Sequence, residues 1–301
     1  MIALGTIAAG VYCSIAYLSV DFIYGIEHEK RPILCFILLY GVAFLPYMVA
    51  IKMLRCLGEV RHGAAIVLLF AILFRAILLT SAPIQEDDFY RYLWDGAVVA
   101  NGLNPYKYAP AALQDKDDRD SSQLPYVLLR RSNDQLESAW SRVNHATVPS
   151  IYPPVAQVVF AVASLIEPGS LLALRLLLLG FDLAVCLGVM LLLTHLRLPP
   201  SLCVVYAWSP LVVKETVNST HFDVVPTFFV VCALFATFKA RTLLGFVCLG
   251  IAICAKLFPV VFVPFFVCRA IRQNGVMAAL GAAGLMWTAT RMSGAASIAC
   301  H

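Results

Sequence analysis

The chain has 301 residues, 61% of them hydrophobic and 13% charged, where an average soluble protein has about 45–50% and about 25%. That balance excludes a water-soluble globular domain and predicts an all-α, polytopic membrane protein, because lipid leaves no water to satisfy open backbone groups. The net charge of +4 is spread over short loops and offers nucleic acid no basic patch.

In chain order, apolar blocks at 2–24, 33–54 and 64–82 predict the first three spans, each near the roughly 20 residues a helix needs to cross a bilayer. The first block has no basic lead and no small-residue cleavage site, so it reads as a retained helix rather than a signal peptide. Lys52, Arg55 and Arg61 flank the second and third blocks, which assigns that turn and the N-terminus to the cytoplasm. Three crossings then deliver residues 83–150 to the outer face. The expected organisation is 1–82 for the first three helices, 83–150 for a long extracytoplasmic loop with an acidic motif, and 151–301 for the remaining helices. Ten cysteines are scattered singly through apolar segments and read as buried small hydrophobes, not as a disulfide framework.

The loop opens with "IQEDDFYRYLWDGAVVANGLNPY" (84–106). Helical spacing puts Asp88, Arg91, Tyr92 and Asp95 on one stripe, an acid, a base and a phenol facing one space. Capping accounts for Glu86 and Asp87 at a helix start; it does less for Asp88 and Asp95, which lie deeper. A carboxylate beside apolar walls can serve as general base toward a sugar hydroxyl, and an arginine can grip a phosphate with two parallel bonds. Further on, "DKDDRDSS" (115–122) reads as a solvated charge run, and "LPYVLLRRSNDQLESAWSRV" (124–143) as a short interfacial helix that closes over the site.

Beyond the loop, blocks at 151–166, 171–194, 222–238 and 243–267 predict four more spans. Weaker stretches at 201–213 and 275–292 bring the total to about seven to nine. If 201–213 crosses, Lys239 and Arg241 fall outside; if it lies along the interface, they fall inside and "THFD" (220–223) shares a face with the long loop. The second version, which is the favoured one, leaves Arg269 and Arg272 outside unless the helix breaks at Pro259, within "AKLFPVVFVP" (255–264), and turns the chain back. Arg75, Arg175 and Asp182 sit within apolar blocks and suit structural ties between helices. Lys256, in an apolar run where a charge costs about 2.5–3.5 kcal/mol, needs a compensating partner. His221 and Asp223 reach one ligand only from a turn or unwound helix start. Tyr106 and Tyr152 read as interfacial anchors.

"DDFYRYLWDG" with "GLNPY", then "YPP" (152–154), "SPLVVKETVNSTHFD" (209–223) and "AKLFPVVFVP" together resemble bacterial integral-membrane glycosyltransferases of the GT-C class, of the polyprenyl-phosphate-dependent mannosyltransferase type. More distantly they are similar to the GPI mannosyltransferase that adds the first mannose. The resemblance covers roughly 75–267. It implies transfer, with inversion, of a hexose, mannose being the expected one, from a polyprenyl-phosphate donor to a glycolipid or glycan acceptor. The setting would be a bacterial inner membrane, with the site on its periplasmic or outer face. Asp88 would be the base and Asp87 its auxiliary, Arg91 and Lys256 the donor-phosphate partners, and Asp95, Tyr92, His221 and Asp223 the acceptor or sugar contacts. The resemblance implies no certain cofactor. A divalent metal held by Asp87, Asp88 and the donor phosphate suits the preference of hard cations for oxygen, and metal dependence stays open. Two other readings stay open as well: a transporter or flippase using the intramembrane charges, and a noncatalytic subunit. The second is prompted by a chain that stops soon after "AKLFPVVFVP", where this class often carries further spans.

Overall fold

A computed structural model describes residues 1–58, 60–114 and 121–277, together with positions 281, 283, 284, 286, 288 and 290. Residues 115–120 of the charge run and half of the weak apolar stretch at 275–292 lie outside the described residues. Thirteen α-helices carry the described chain, with no strand among the described residues. In order they are α1 Ile2–Leu18, α2 Ile33–Leu57, α3 Gly63–Leu79, α4 Asp88–Ala100, α5 Leu124–Arg131, α6 Asp134–Ser141, α7 Pro154–Ile166, α8 Leu171–His195, α9 Val204–Ala207, α10 Pro210–Val213, α11 Val224–Phe238, α12 Thr242–Ala255 and α13 Val263–Asn274.

Three stretches, Ile2–Phe22, Ile33–Cys56 and Leu171–His195, are long and apolar enough to cross a membrane; α3, α7, α11 and α12 are shorter apolar helices. Their outer faces are hydrocarbon: Leu34, Leu38 and Leu45 on α2 are all exposed, a continuous apolar surface that water would not tolerate. Seven apolar helices thus answer the seven stronger blocks of the sequence. The weaker block at 201–213 forms no continuous helix: a 3-10 turn Pro200–Cys203, α9 and α10 are each four residues long, separated at Trp208 and Ser209.

The chain divides into two compact units, Met1–Glu86 with Leu178–His221, and Asp87–Leu177 with the described residues from Phe222 on. In the first, α1 packs on α2 and α3 around Tyr12, Phe70, Phe74 and Trp208, whose rings meet at 4.9–5.9 Å, Trp208 donating its indole N–H to the Val67 carbonyl. Arg75 lies fully buried on α3. Its guanidinium bonds Asp182 and donates to the carbonyls of Ala71 and Ala207, while Tyr206 donates to the same carboxylate. A charge taken out of water needs every lone pair and proton matched, and here Arg75 and Asp182 supply that match to each other.

In the second unit α4 lies against α7 so closely that a Cβ at Gly96 would overlap the Phe160 carbonyl. α11 and α12 form an antiparallel pair. The block at 243–267 is not one span. α12 ends at Ala255, Lys256 is extended at φ −157°, ψ 148°, and a 3-10 turn Phe258–Phe262 leads into α13. α13 returns along its neighbours: Phe266 packs on Phe246, Gln273 donates to the Thr237 carbonyl at 3.2 Å, and Asn274 bonds Thr242. Pro259 cannot supply a helical N–H, and the chain leaves the helix before reaching it.

The nine described cysteines are all free. Only Cys186 and Cys203 are buried, while Cys13, Cys35, Cys56 and Cys268 are exposed, so most are not core residues as expected but part of the apolar helix surface.

Candidate active site

Pro83 and a left-handed Gln85 (φ 58°) end the preceding segment, and α4 starts at Asp88. Asp87 occupies the N-cap position without making a side-chain cap bond. Its carboxylate instead accepts from the Asn144 amide at 2.9 Å, and the same nitrogen donates to Asp88 Oδ1 at 2.7 Å. One neutral donor therefore holds two adjacent acids together. Among the described residues, Asp88 Oδ2 has no hydrogen-bond partner. A partly buried carboxylate with one oxygen fixed and the other available is suited to taking a proton from a bound hydroxyl.

Arg91 does not reach outward to a phosphate. It is buried, with Nη2 donating to the carbonyls of Asn144, His145 and Val148 at 3.0–3.4 Å and Nη1 4.0 Å from Asp95. The guanidinium pins the 144–148 segment, which carries the amide that holds Asp87 and Asp88. Asp95 faces inward as well, accepting from the Ser150 hydroxyl and from Gln157 at 3.2 Å. Burial pushes its carboxyl up to about 6, against the opposing pull of Ser150, Arg91 and Gln157. The stripe read from helical spacing is real, but its lower half is support.

Tyr92 stacks on Phe160 at 4.5 Å, and the Tyr152 ring stands at right angles to it 5.0 Å away. Burial raises both phenols, Tyr152 to about 12, and the charges of Asp88 and Asp223 push Tyr92 further up. Tyr152 is thus packed into the unit rather than a simple surface anchor, and its carbonyl accepts from Tyr106 at 2.7 Å. Phe160 meets Phe222 at 5.2 Å, bringing the start of α11 to the same end. There Asp223 accepts from Lys256 Nζ at 2.6 Å, both half exposed. The compensating partner that an apolar run demanded for Lys256 is Asp223. Asp87, Asp88, Tyr92, Asp223 and Lys256 all belong to this unit, and Arg91 and Asp95 lie behind them.

His221 does not join Asp223. In the first unit it stands between two carboxylates, Nδ1 2.5 Å from Glu215 and Nε2 3.1 Å from Glu86, with Lys214 3.1 Å from Glu215. Bonds to Glu215 and Glu86 push the imidazole up to about 10. Burial opposes ionisation of Glu215, yet the bonds from His221 and Lys214 outweigh it and hold that carboxyl below its ordinary value. Sequence reasoning missed this grouping, along with Asn144, Ser150 and Gln157. The only local signal is the Glu215 to His221 interval, out of phase with a single helical face and closed by a turn of π-helix, Lys214–Asn218.

No curated protein and no solved structure matches the chain. Residues 1–272 match the N-terminal domain of the alpha-(1->6)-mannopyranosyltransferases, and the chain belongs to that family.

Proposed function

We propose that the chain transfers mannose from a polyprenyl-phosphate-linked donor to the 6-hydroxyl of a mannose-bearing glycolipid or glycan, on the outer face of a bacterial inner membrane. Mannosyl transfer is the activity of the family; the donor, the acceptor and the side of the membrane belong to the proposal. The carrying observation is the Asp88 carboxylate at the head of α4, clamped through one oxygen by Asn144.

In this reading Asp88 Oδ2 takes the proton of the acceptor hydroxyl as its oxygen forms the bond to the anomeric carbon. The bond from that carbon to the phosphate oxygen breaks, and the phosphate leaves on the opposite face with the electron pair. Inversion producing an α-linkage requires a β-linked donor. Asp87 holds Asn144 in common with Asp88, and Tyr92 and Asp223 supply sugar contacts. Lys256, at the extended break after α12, releases Asp223 to meet the phosphate charge as it develops. Arg91 and Asp95 act through the residues they position.

The test is turnover in nanodiscs with β-linked polyprenyl-phosphate mannose and an α-mannoside lipid. Asp88→Asn removes the base and is expected to lower the rate about 10²–10⁴-fold while leaving the unfolding temperature in place. Equal turnover by the two proteins removes Asp88 as base. No consumption of the β-linked donor by wild type, in the presence of a competent acceptor, removes the donor assignment.

A further inference from the structure

The chemistry assigned to Asp88 makes no use of Glu86, Glu215 or His221, yet the backbone goes to some length to assemble them. Asn218, fully buried, accepts from the Ile84 N–H at 3.1 Å and donates to Ser81 Oγ and the Ala82 carbonyl, both at 2.7 Å. That side chain locks the segment leading to Glu86 against the turn that carries Glu215. The His221 N–H closes the same turn on the Glu215 carbonyl at 2.9 Å. Gln85 and Thr220, the neighbours of Glu86 and His221, are both left-handed, at φ 58° and 62°. Such a conformation costs a non-glycine residue on the order of 1–3 kcal/mol, and more readily so for β-branched threonine. Strain on both arms of the cluster, with a π-helical turn between, is the signature of a site held against local preference.

The side chains are sorted atom by atom. Lys214 Nζ lies 3.1 Å from Glu215 Oε1 and 3.7 Å from Glu86 Oε1, whereas His221 faces Oε2 of each. One ammonium thus turns both carboxylates so that their other oxygens converge on the imidazole. One donor atom from each of Glu86, Glu215 and His221 falls within 4.8 Å of the other two. Two carboxylates and an imidazole are a borderline donor set: calcium and magnesium favour all-oxygen shells, while an imidazole nitrogen shifts the preference toward zinc. Three protein ligands leave the fourth tetrahedral position open, and orientation of the ligands from behind is what Lys214 supplies.

We propose that Glu86, Glu215 and His221 bind a single zinc ion, with Lys214 orienting the two carboxylates and the fourth position left to water or to an anionic oxygen. The ion takes the place of the proton on one ring nitrogen, which goes to water, and the carboxylate that faces the other nitrogen turns from it to the ion. Two carboxylates, one ammonium and one zinc ion sum to a single positive charge, which favours an anion in the open position. The site stands whether or not the chain uses the donor named above.

The experiment is metal retention by the full chain, purified in nanodiscs, stripped with chelator, equilibrated with zinc chloride plus excess magnesium and gel-filtered before elemental analysis. Wild type is expected to keep about one zinc per chain. Glu215→Gln and His221→Gln are each expected to lose it, while Asp21→Asn, at an exposed acid outside the cluster, keeps it. Lys214→Gln is expected to hold zinc about 10–100-fold more weakly. Unfolding temperatures of the stripped proteins identify any variant that fails to fold; on adding zinc, wild type and Asp21→Asn should gain stability, Lys214→Gln should gain less, and Glu215→Gln and His221→Gln should gain none. Wild type that retains no zinc, or retains magnesium instead, overturns the proposal and leaves a closed network of ion pairs; so does undiminished zinc in folded Glu215→Gln and His221→Gln.

Discussion

Asp95 carries the clearest consequence of burial for a single group. Its carboxyl, inaccessible to water and pushed up to about 6, ionises near 3.9 in an unfolded chain. Between those values the folded state holds a proton that the unfolded state has released, so stability falls as pH rises through the window and is lower above it, by roughly 3 kcal/mol on the scale of the shift. Arg91 and the donors Ser150 and Gln157 moderate the penalty without removing it. Asp95→Asn keeps an oxygen for those donors and cannot ionise. Thermal unfolding between pH 4 and pH 7 is expected to show a decline in wild type that the asparagine variant lacks. A decline of equal size in both would assign it elsewhere. The acids and Arg91 were legible from helical spacing alone. Their division into a more accessible pair and a buried support was not, because it depends on Asn144, Ser150 and Gln157, which approach from more than 50 positions along the chain.

At the scale of elements, the position of Asp88 depends on how closely α4 meets α7. Gly96 permits that approach: a Cβ there meets the Phe160 backbone, which cannot rotate aside as a side chain could. Gly96→Ala is therefore expected to destabilise by about 1–3 kcal/mol and to lower turnover by displacing Tyr92 from its stack on Phe160. Gly10→Ala is the contrasting case, in the interior of α1 with open space around its Cβ position. It is expected to be neutral or to stabilise by about 0.5–1 kcal/mol. Unfolding in nanodiscs compares the two, and an unaffected Gly96→Ala would mean that the helices can separate without cost. The glycine in "DDFYRYLWDG" marks this contact in the sequence but does not name the partner. The end of α12 was half legible: Pro259 announced a break, yet the chain opens three residues earlier, at Lys256, where the ammonium reaches Asp223. Hydropathy, which sees only an unbroken apolar run, merged α12 with the first turn of α13.

Across the molecule, seven apolar blocks and their helical nature followed from composition, since a bilayer permits little else. Sidedness depends on where the charges gather. In the unit that contains α11, α12 and α13, Asp223 and Lys256 lie at one end. Lys239 and Arg241 lie at the α11–α12 turn, and Arg269, over the Phe238 ring, and Arg272, in the last turn of α13, return to that end. Helices of 14 and 15 residues separate the two ends by roughly 20 Å at 1.5 Å per residue. Four basic side chains gathered at one end are what the positive-inside rule reads as cytoplasmic, and with 201–213 broken into short turns no continuous helix there reverses the order. In a cysteine-less background, Ala240→Cys is therefore expected to react with a membrane-impermeant maleimide only after the membrane is opened. Ser121→Cys, ahead of α5 in the polar stretch, is expected to react in intact cells stripped of their outer envelope. If both react from outside, the α11–α12 turn is extracytoplasmic, Asp223 faces the cytosol, and the acceptor contact proposed for it fails. If Ser121→Cys is shielded until the membrane is opened, it is Asp88 that has been placed on the wrong side.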